Sequence, residues 1–454
     1  MSDDLTSQSA TELIRLIKTG GTSCVEVVQS YLQRIEKVNP ALNAIVTIAP
    51  DVLEQARVRD QQRADGRLAG PLHGLPITIK DTIDTEGLRT TYGSRLFAGH
   101  VPLQDASVVA RLKAAGAIVL GKTNVPEMAI PYETDNPVFG RTNHPFDSNR
   151  TPGGSSGGEA AAIASRISVA GIGSDLAGSI RVPAHFCGIA SLKPTSGVVP
   201  MEGHLPRATG TLALGACIGP MARSVADLAT LFEVMAPGIP HDFTKDLRVA
   251  WYVDDHVAPV APEIVKAVQR AAESLREAGF EVRQEIPPGV SNAPRLWIEL
   301  FSRAANEQIR EIYRGREHEA GPAVSHLLQS ADPLTLQDKV EAAETLAKAV
   351  IERAQWREEL LSWMRDTPLI LSPVSATVAF EHGAARVDAD GKSISVFRSA
   401  SYSQTINVFG LPAAVVPVAR TVAGLPIGIQ VVGRPSEEHR VLAAAALIEE
   451  SAGF

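Results

Sequence analysis

The sequence predicts an α/β protein, a single large domain over residues 1–454 with a central mixed β-sheet covered by helices on both faces. Three observations lead there. Short apolar runs such as Pro76–Lys80 and residues 117–121 alternate with segments of helical period such as residues 107–115. The alternation continues almost to the C-terminus without an internal repeat, a low-complexity tract or a convincing linker. A chain of 454 residues, 44% hydrophobic and 21% charged, is also long enough and apolar enough to bury a substantial core.

Taken in order, the elements begin with Ser9, three residues before Glu12 at capping-box spacing, followed by Leu13, Ile14 and Ile17 at helical period. Beyond Gly20-Gly21, Thr22 or Ser23 caps a second helix through Val25, Val28, Leu32 and Ile35, ending near Asn39-Pro40. Strand, helix and strand follow at 76–80, 107–115 and 117–121. From Gly158 the pattern reads as a helix over 159–165, a strand over 169–173, a tight Gly/Ala turn, a short helix from about Ser179 and a strand over 189–192. Further strands are predicted at 247–252, 368–371, 413–417 and 427–432, separated by long helical patterns such as 262–278. The polar segment 386–393 reads as a surface loop.

Composition removes several classes of function. The formal net charge is -8 and no run of Lys and Arg forms a phosphate-tracking surface, which disfavours nucleic acid as a ligand. Cys24, Cys187 and Cys217 are odd in number and widely scattered, as expected of buried thiols in a reducing compartment. The opening MSDDLTSQSATELI lacks the basic-then-apolar order of a secretion signal, and no stretch approaches the ~20 apolar residues of a membrane span. The expectation is a cytoplasmic protein without a membrane partner. Neither H-E-x-x-H nor paired C-x-x-C occurs, and the eleven histidines show no ligand spacing, so no metal is expected.

The densest motif is Thr-Pro-Gly-Gly-Ser-Ser-Gly-Gly-Glu-Ala at 151–160. It lacks the Gly-Lys-Ser/Thr of a P-loop, and the nearby Gly171-Ile-Gly173 has Leu176 where a dinucleotide loop needs its third glycine. Gly153 to Gly157 does match the G-x-S-x-G nucleophile elbow, but residues 147–152 before it are polar rather than an apolar strand. No S-x-x-K occurs anywhere. A larger constellation remains: the glycine-serine run, Gly173-Ser-Asp-Leu-Ala-Gly-Ser179-Ile-Arg-Val-Pro-Ala, and Cys187-Gly-Ile-Ala-Ser-Leu-Lys-Pro-Thr195. It resembles the amidase signature family. Ser155 and Ser179 stand 24 residues apart with matching flanks. The resemblance extends to Gly74-Leu-Pro-Ile-Thr-Ile-Lys80-Asp and Gly121-Lys-Thr-Asn upstream. Downstream it includes Asn407-Val-Phe-Gly-Leu-Pro and 424–433, so it spans nearly the whole chain.

The resemblance implies the amidase signature fold, with a signature core at about 70–225 and a C-terminal part of the same sheet at about 245–454. It also implies a Ser-Ser-Lys triad, with Ser179 as nucleophile, Ser155 as bridging serine in a cis peptide after Gly154, and Lys80 as base. Physical chemistry sets the condition for that triad: lysine acts as a base only when neutral, which requires burial to lower its pKa from ~10.4 toward ~7. Lys80 closes an apolar strand; the alternative is a surface pair with Asp81. Backbone amides at Leu176, Ala177, Gly178 and Ser179 are the expected oxyanion hole. Relatives commonly have Gly-Gly-Ser where this chain has Ala177-Gly178-Ser179, so a positive φ at 177 would strain the alanine by ~1–2 kcal/mol.

The remaining candidates have structural or substrate-side roles. Ser156 is a backbone-bonding or substrate-side neighbour. Asp175 and Arg181 either pair to fix the loop or contact a charged substrate. Arg141, Thr142 and Asn143 brace the glycine-serine loop, and Arg207 sits on a lid or is merely solvated. The implied activity is hydrolysis of a small or aryl amide through an acyl-enzyme, without cofactor, by a monomer or homodimer. Two alternatives remain: a carbamate (urethane) hydrolase with the same triad, and the glutaminase-type A subunit of a tRNA-dependent amidotransferase.

Overall fold

The computed structural model describes residues 4–239, 248–329 and 336–454. Local signals explain its first helices. Ser9 accepts a hydrogen bond from the Glu12 N–H and opens α1 (Ala10–Thr19), but Glu12 pairs with Arg15 instead of completing the capping box. The full box forms at α2 (Cys24–Leu42), where Ser23 and Glu26 each satisfy the other's backbone N–H. Helix α2 continues past Pro40, contrary to expectation. A proline in the last turn forfeits only one intrahelical bond, and the helix stops instead at Asn43, whose φ of 54° is left-handed.

The chain then alternates as expected, with additions. β1 (Ile45–Ile48) and α3 (Val52–Ala64) precede β2 (Pro76–Lys80), α4 (Ser107–Ala114), β3 (Ile118–Thr123), α5 (Gly157–Ala164), β4 (Ala170–Asp175), α6 (Arg181–Cys187), β5 (Ala190–Lys193) and β6 (Cys217–Ala222). After α7 (Val225–Met235) come β7 (Arg248–Trp251), α8 (Pro262–Glu277), β8 (Glu281–Gln284), α9 (Ala293–Trp297), α10 (Arg303–Tyr313), α11 (Pro322–Gln329) and α12 (Leu336–Trp363). β9 (Leu369–Pro373), β10 (Arg386–Ala389), β11 (Lys392–Ser395), α13 (Val396–Ser399), α14 (Ser401–Phe409), β12 (Ala413–Arg420), β13 (Pro426–Val432) and α15 (Glu438–Ala452) complete the chain. Leu247, the expected first residue of β7, lies outside the described residues.

Eleven of the described strands form one mixed sheet in the order β1-β3-β2-β4-β6-β5-β12-β13-β9-β7-β8. β2 runs parallel to both β3 and β4, whereas β5 joins β12 antiparallel, through Ala413 opposite Lys193. Early and late segments thus share a single sheet. Every residue of β2, β3, β4 and β6 is buried, as strands covered on both faces require. Strand β6 escaped the sequence reading because Pro220 sits within it, and proline normally argues against a central strand. It is tolerated where the β5 ladder has already ended at Met221.

The segment 386–393 is not a loop. β10 and β11 pair from Arg386 opposite Ser395 to Ala389 opposite Lys392, turning through Asp390 and Gly391 at φ 53° and 72°. Two adjacent positive φ values make a type I′ hairpin, for which Asp-Gly is a preferred sequence. Among the described residues, no helix is long and apolar enough to cross a membrane.

Two glycine substitutions separate backbone strain from steric exclusion. A Cβ at Gly391 would meet nothing within 4 Å, so Gly391→Ala should lose only the ~1–2 kcal/mol of a left-handed alanine. A Cβ at Gly121 would lie 2.2 Å from the Thr47 carbonyl oxygen, so Gly121→Ala must part β3 from β1 and destabilise far more. Chemical denaturation of the two variants should rank them in that order; the reverse order would refute the register.

Candidate active site

Lys80 is the last residue of β2 and is completely buried. Its Nζ lies 2.7 Å from Ser155 Oγ and 3.0 Å from Ser174 Oγ, and 3.4 Å from the Ser174 carbonyl oxygen. Among the described residues, no carboxylate touches it. Burial therefore dominates and pushes the amine down to about 7, against the weaker pull of Asp175, Glu159 and Cys217 in the opposite direction. The pair with Asp81 does not form: Asp81 accepts instead from the Thr91 N–H and hydroxyl.

Ser155 and Ser156 stand just ahead of α5, and the peptide between Gly154 and Ser155 is cis. Ser156 bonds backbone, donating its N–H to the Ser179 carbonyl at 3.0 Å and its hydroxyl to the Ser174 carbonyl at 3.4 Å. Ser179, in the turn between β4 and α6, lines the same cavity as Ser155 and Ser174. Among the described residues, no hydrogen bond joins the Ser155 and Ser179 hydroxyls.

Asp175 organises that turn. It accepts from the Gly178 N–H at 2.9 Å and the Ile180 N–H at 3.0 Å, and pairs with Arg181, both side chains fully buried. Burial alone would raise the Asp175 carboxyl, but Arg181 and the Asn407 amide outweigh it and hold the group well below the carboxylate range. Arg181 also donates to the Asn407 side chain, the Ser403 carbonyl and Gln430. Asp175 and Arg181 are thus a structural pair fixing the loop.

The carbonyls of the turn are tied outward. Trp297 Nε1 donates to Leu176 O at 2.8 Å, the Tyr132 hydroxyl to Ala177 O at 2.6 Å, and the Val182 N–H to Gly178 O at 2.7 Å. In a trans peptide the N–H points opposite to the carbonyl, so the Ala177 and Ser179 N–H groups face away from those anchors. Neither has an acceptor among the described residues. Of the four amides expected as an oxyanion hole, that of Gly178 is taken by the Asp175 carboxylate. The feared strain at Ala177 is also absent, because the positive φ falls on Gly178, at 100°.

The side chains of Thr142 and Asn143 hold the C-terminal end of α2 rather than the glycine-serine loop directly. Thr142 donates to Asn43 O and Asn143 to Ala41 O, while Thr134, which accepts the Thr142 N–H at its carbonyl, donates to Gly153 O. Arg141 lies at the surface, 3.6 Å from Glu133. Cys24, Cys187 and Cys217 are free and buried. Sequence reasoning missed Ser174, although it stands beside Asp175 in the quoted motif. It gave no role to Asn407, although that residue opens a quoted motif, and it missed Tyr132 and Trp297, which approach the turn only through the fold and carry no local signal.

The serines open into a cavity of about 460 Å³ with a mainly apolar wall that includes Tyr132, Trp297, Ile309, Phe380 and Phe397. Of the charged groups on this wall, Asp175 is held by Arg181, and Glu133 by His382 and the Gly383 N–H. Arg207 also lines it and makes no ion pair among the described residues. A buried amine, adjacent hydroxyls and undirected amides thus stand around one apolar cavity. The family model described as Amidase matches residues 26–442. The chain is 34% identical to the A subunit of a glutamyl-tRNA(Gln) amidotransferase from Thermus thermophilus, over 97% of each chain. It is also 34% identical to an indoleacetamide hydrolase from Bradyrhizobium diazoefficiens, over 98% of this chain and 86% of that one. A crystal structure of an amidase, 30% identical, superposes with a TM-score of 0.88 over 98% of this chain and 100% of the other. This chain belongs to the amidase signature family and is a hydrolase acting on carbon–nitrogen amide bonds.

Removing Asp175 should be costly, because Arg181 would remain charged and buried without its partner. Asp175→Ala should lose ~3–5 kcal/mol in chemical denaturation; a loss below ~1 kcal/mol would show that the pair does not hold the turn.

Proposed function

We propose that the chain hydrolyses a neutral, mainly apolar amide by acyl transfer to water, with Ser179 as nucleophile, Ser155 as proton relay and Lys80 as base. The observation that carries the reading is the 2.7 Å contact between the buried Lys80 amine and Ser155 Oγ. A neutral amine has two N–H donors and one lone pair. Directing the donors to the Ser174 hydroxyl and carbonyl leaves the lone pair for the Ser155 proton.

As the substrate carbonyl enters, Ser179 closes on Ser155, since catalytic hydrogen bonds tighten in the substrate complex. Ser179 Oγ attacks the carbonyl carbon while its proton passes to Ser155, whose own proton moves to Lys80. The Ala177 and Ser179 N–H groups receive the developing oxyanion. Collapse breaks the C–N bond, and the departing nitrogen takes a proton back through Ser155. Water then attacks the acyl-enzyme by the same relay and releases the acid.

The cavity wall supports small or aryl amides over a glutamine-like amide that carries both a free ammonium and a free carboxylate. A zwitterionic substrate needs partners for both its charges, whereas Asp175 and Glu133 are already engaged. The name of the indoleacetamide hydrolase points to an aromatic amide for that relative, in keeping with this choice. Three buried free thiols support a reducing, cytoplasmic setting.

Because the base must be neutral, kcat/KM should rise with pH through about 7 and level above it. Lys80→Ala should lower kcat by roughly 10²–10⁴-fold. A serine-directed fluorophosphonate, followed by mass spectrometry, should modify Ser179 in the parent and not in Lys80→Ala. Adduct on Ser155, or labelling indifferent to Lys80, would reject the assignment.

A further inference from the structure

A second cavity, of about 570 Å³ and sharing no residue with the first, is walled by Arg353, Arg357, Arg365 and Arg434 together with Glu358 and Ser362. Four guanidinium groups face one carboxylate in a chain whose net charge is -8, so the cluster is not part of a general basic surplus. Arg353 and Arg357 are one turn apart on α12 and therefore share a face. Like charges so placed repel unless something compensates them.

Part of their role is structural. Arg353 Nε donates to Val408 O at 2.5 Å and Arg357 Nε to Phe409 O at 2.9 Å, which caps the last carbonyls of α14. Capping occupies the Nε atoms and leaves most of the terminal N–H groups unspent. Arg353 gives one to Leu214 O at 3.4 Å; those of Arg357 have no acceptor among the described residues. Arg353, Arg357 and Arg365 make no ion pair among the described residues, and Arg434 has only Glu437 at 3.8 Å. Burial, with Arg357 alongside, pulls Arg353 down to about 10, and burial lowers Arg357 as well. Partly desolvated guanidinium groups without counter-charges favour an anion that supplies them.

We propose that this cavity binds a small multivalent oxyanion, a ligand with two or more phosphate or carboxylate groups, through the forks of Arg353, Arg357, Arg365 and Arg434. Guanidinium matches either oxyanion with paired N–H donors, and a monovalent ion would leave most of the cluster uncompensated. Bound there, the ligand would brace α12 against the segment after β13. It would also brace the C-terminal end of α14, the helix whose Ser403 and Asn407 hold Arg181.

Titration calorimetry on the full chain tests the site with inorganic pyrophosphate and, separately, with citrate, at an ionic strength held constant with sodium chloride. Saturable one-to-one binding of either is expected. It should weaken at least tenfold in an Arg365→Gln/Arg434→Gln double variant, which leaves both α14 caps in place. Arg357→Gln, checked for folding by circular dichroism, should weaken it similarly. Tighter pyrophosphate binding assigns a phosphate-bearing ligand, and tighter citrate binding a polycarboxylate. Heats that do not saturate, or affinity unchanged in the double variant, would overturn the proposal.

Discussion

A lysine amine sealed at the end of a fully buried strand, with no carboxylate in contact among the described residues, is the constraint around which the rest of the molecule is arranged. Lowering it from 10.5 to about 7 corresponds to roughly 5 kcal/mol of differential solvation. Such a penalty persists only where the surroundings cannot relax to admit water or a counter-ion. β2 provides this because every one of its residues is buried and it is flanked by the fully buried β3 and β4. The contacts left to the amine are hydroxyls and a carbonyl, which hydrogen-bond the neutral form without favouring the charged one as a carboxylate would.

The turn opposite the amine solves a different problem with the opposite electrostatics. Asp175 is as buried as Lys80 yet stays ionised, because Arg181 contacts it directly and backbone N–H groups converge on it. By taking the amides of Gly178 and Ile180, the carboxylate leaves the two alternate amides, at Ala177 and Ser179, undirected. Tyr132 and Trp297, from segments on either side in sequence, fix the carbonyls between. The loop is thus specified by partners spread from residue 132 to residue 430, and its shape depends on the whole sheet having closed.

The groups proposed for chemistry come from one stretch of the chain, whereas the cavity wall draws on that stretch, through Tyr132, and on later ones as well. Groups proposed for chemistry come from residues 80 to 179, whereas Trp297, Ile309, Phe380 and Phe397 on the cavity wall come from later segments. Helix α14 links the two, since its Ser403 and Asn407 reach Arg181 while its C-terminal carbonyls are capped from α12. Substrate preference can therefore diverge in the late segments while the core chemistry is left alone.

What was legible in the sequence was local or motif-bound. Hydrophobic period gave β2, α4, β4, α8 and β13, because burial on a sheet face or a helix stripe leaves its repeat in the residues themselves. The resemblance to the amidase signature family, carried by the glycine-serine run and the spacing of Ser155 from Ser179, gave the candidate site, and Lys80, which the same resemblance picks out, stands at the end of an apolar strand where burial of its amine could be expected. The sequence missed β6, whose proline hid it, and the Asp390-Gly391 hairpin, whose polar residues masked a turn signal. Only the tertiary structure decided which amides stay free, that Asp175 belongs to Arg181 rather than to a substrate, and that Ser174, Tyr132, Trp297 and Asn407 belong to the site. Those outcomes depend on contacts between residues up to 249 positions apart, and no pattern confined to a few neighbours can encode which distant atoms meet.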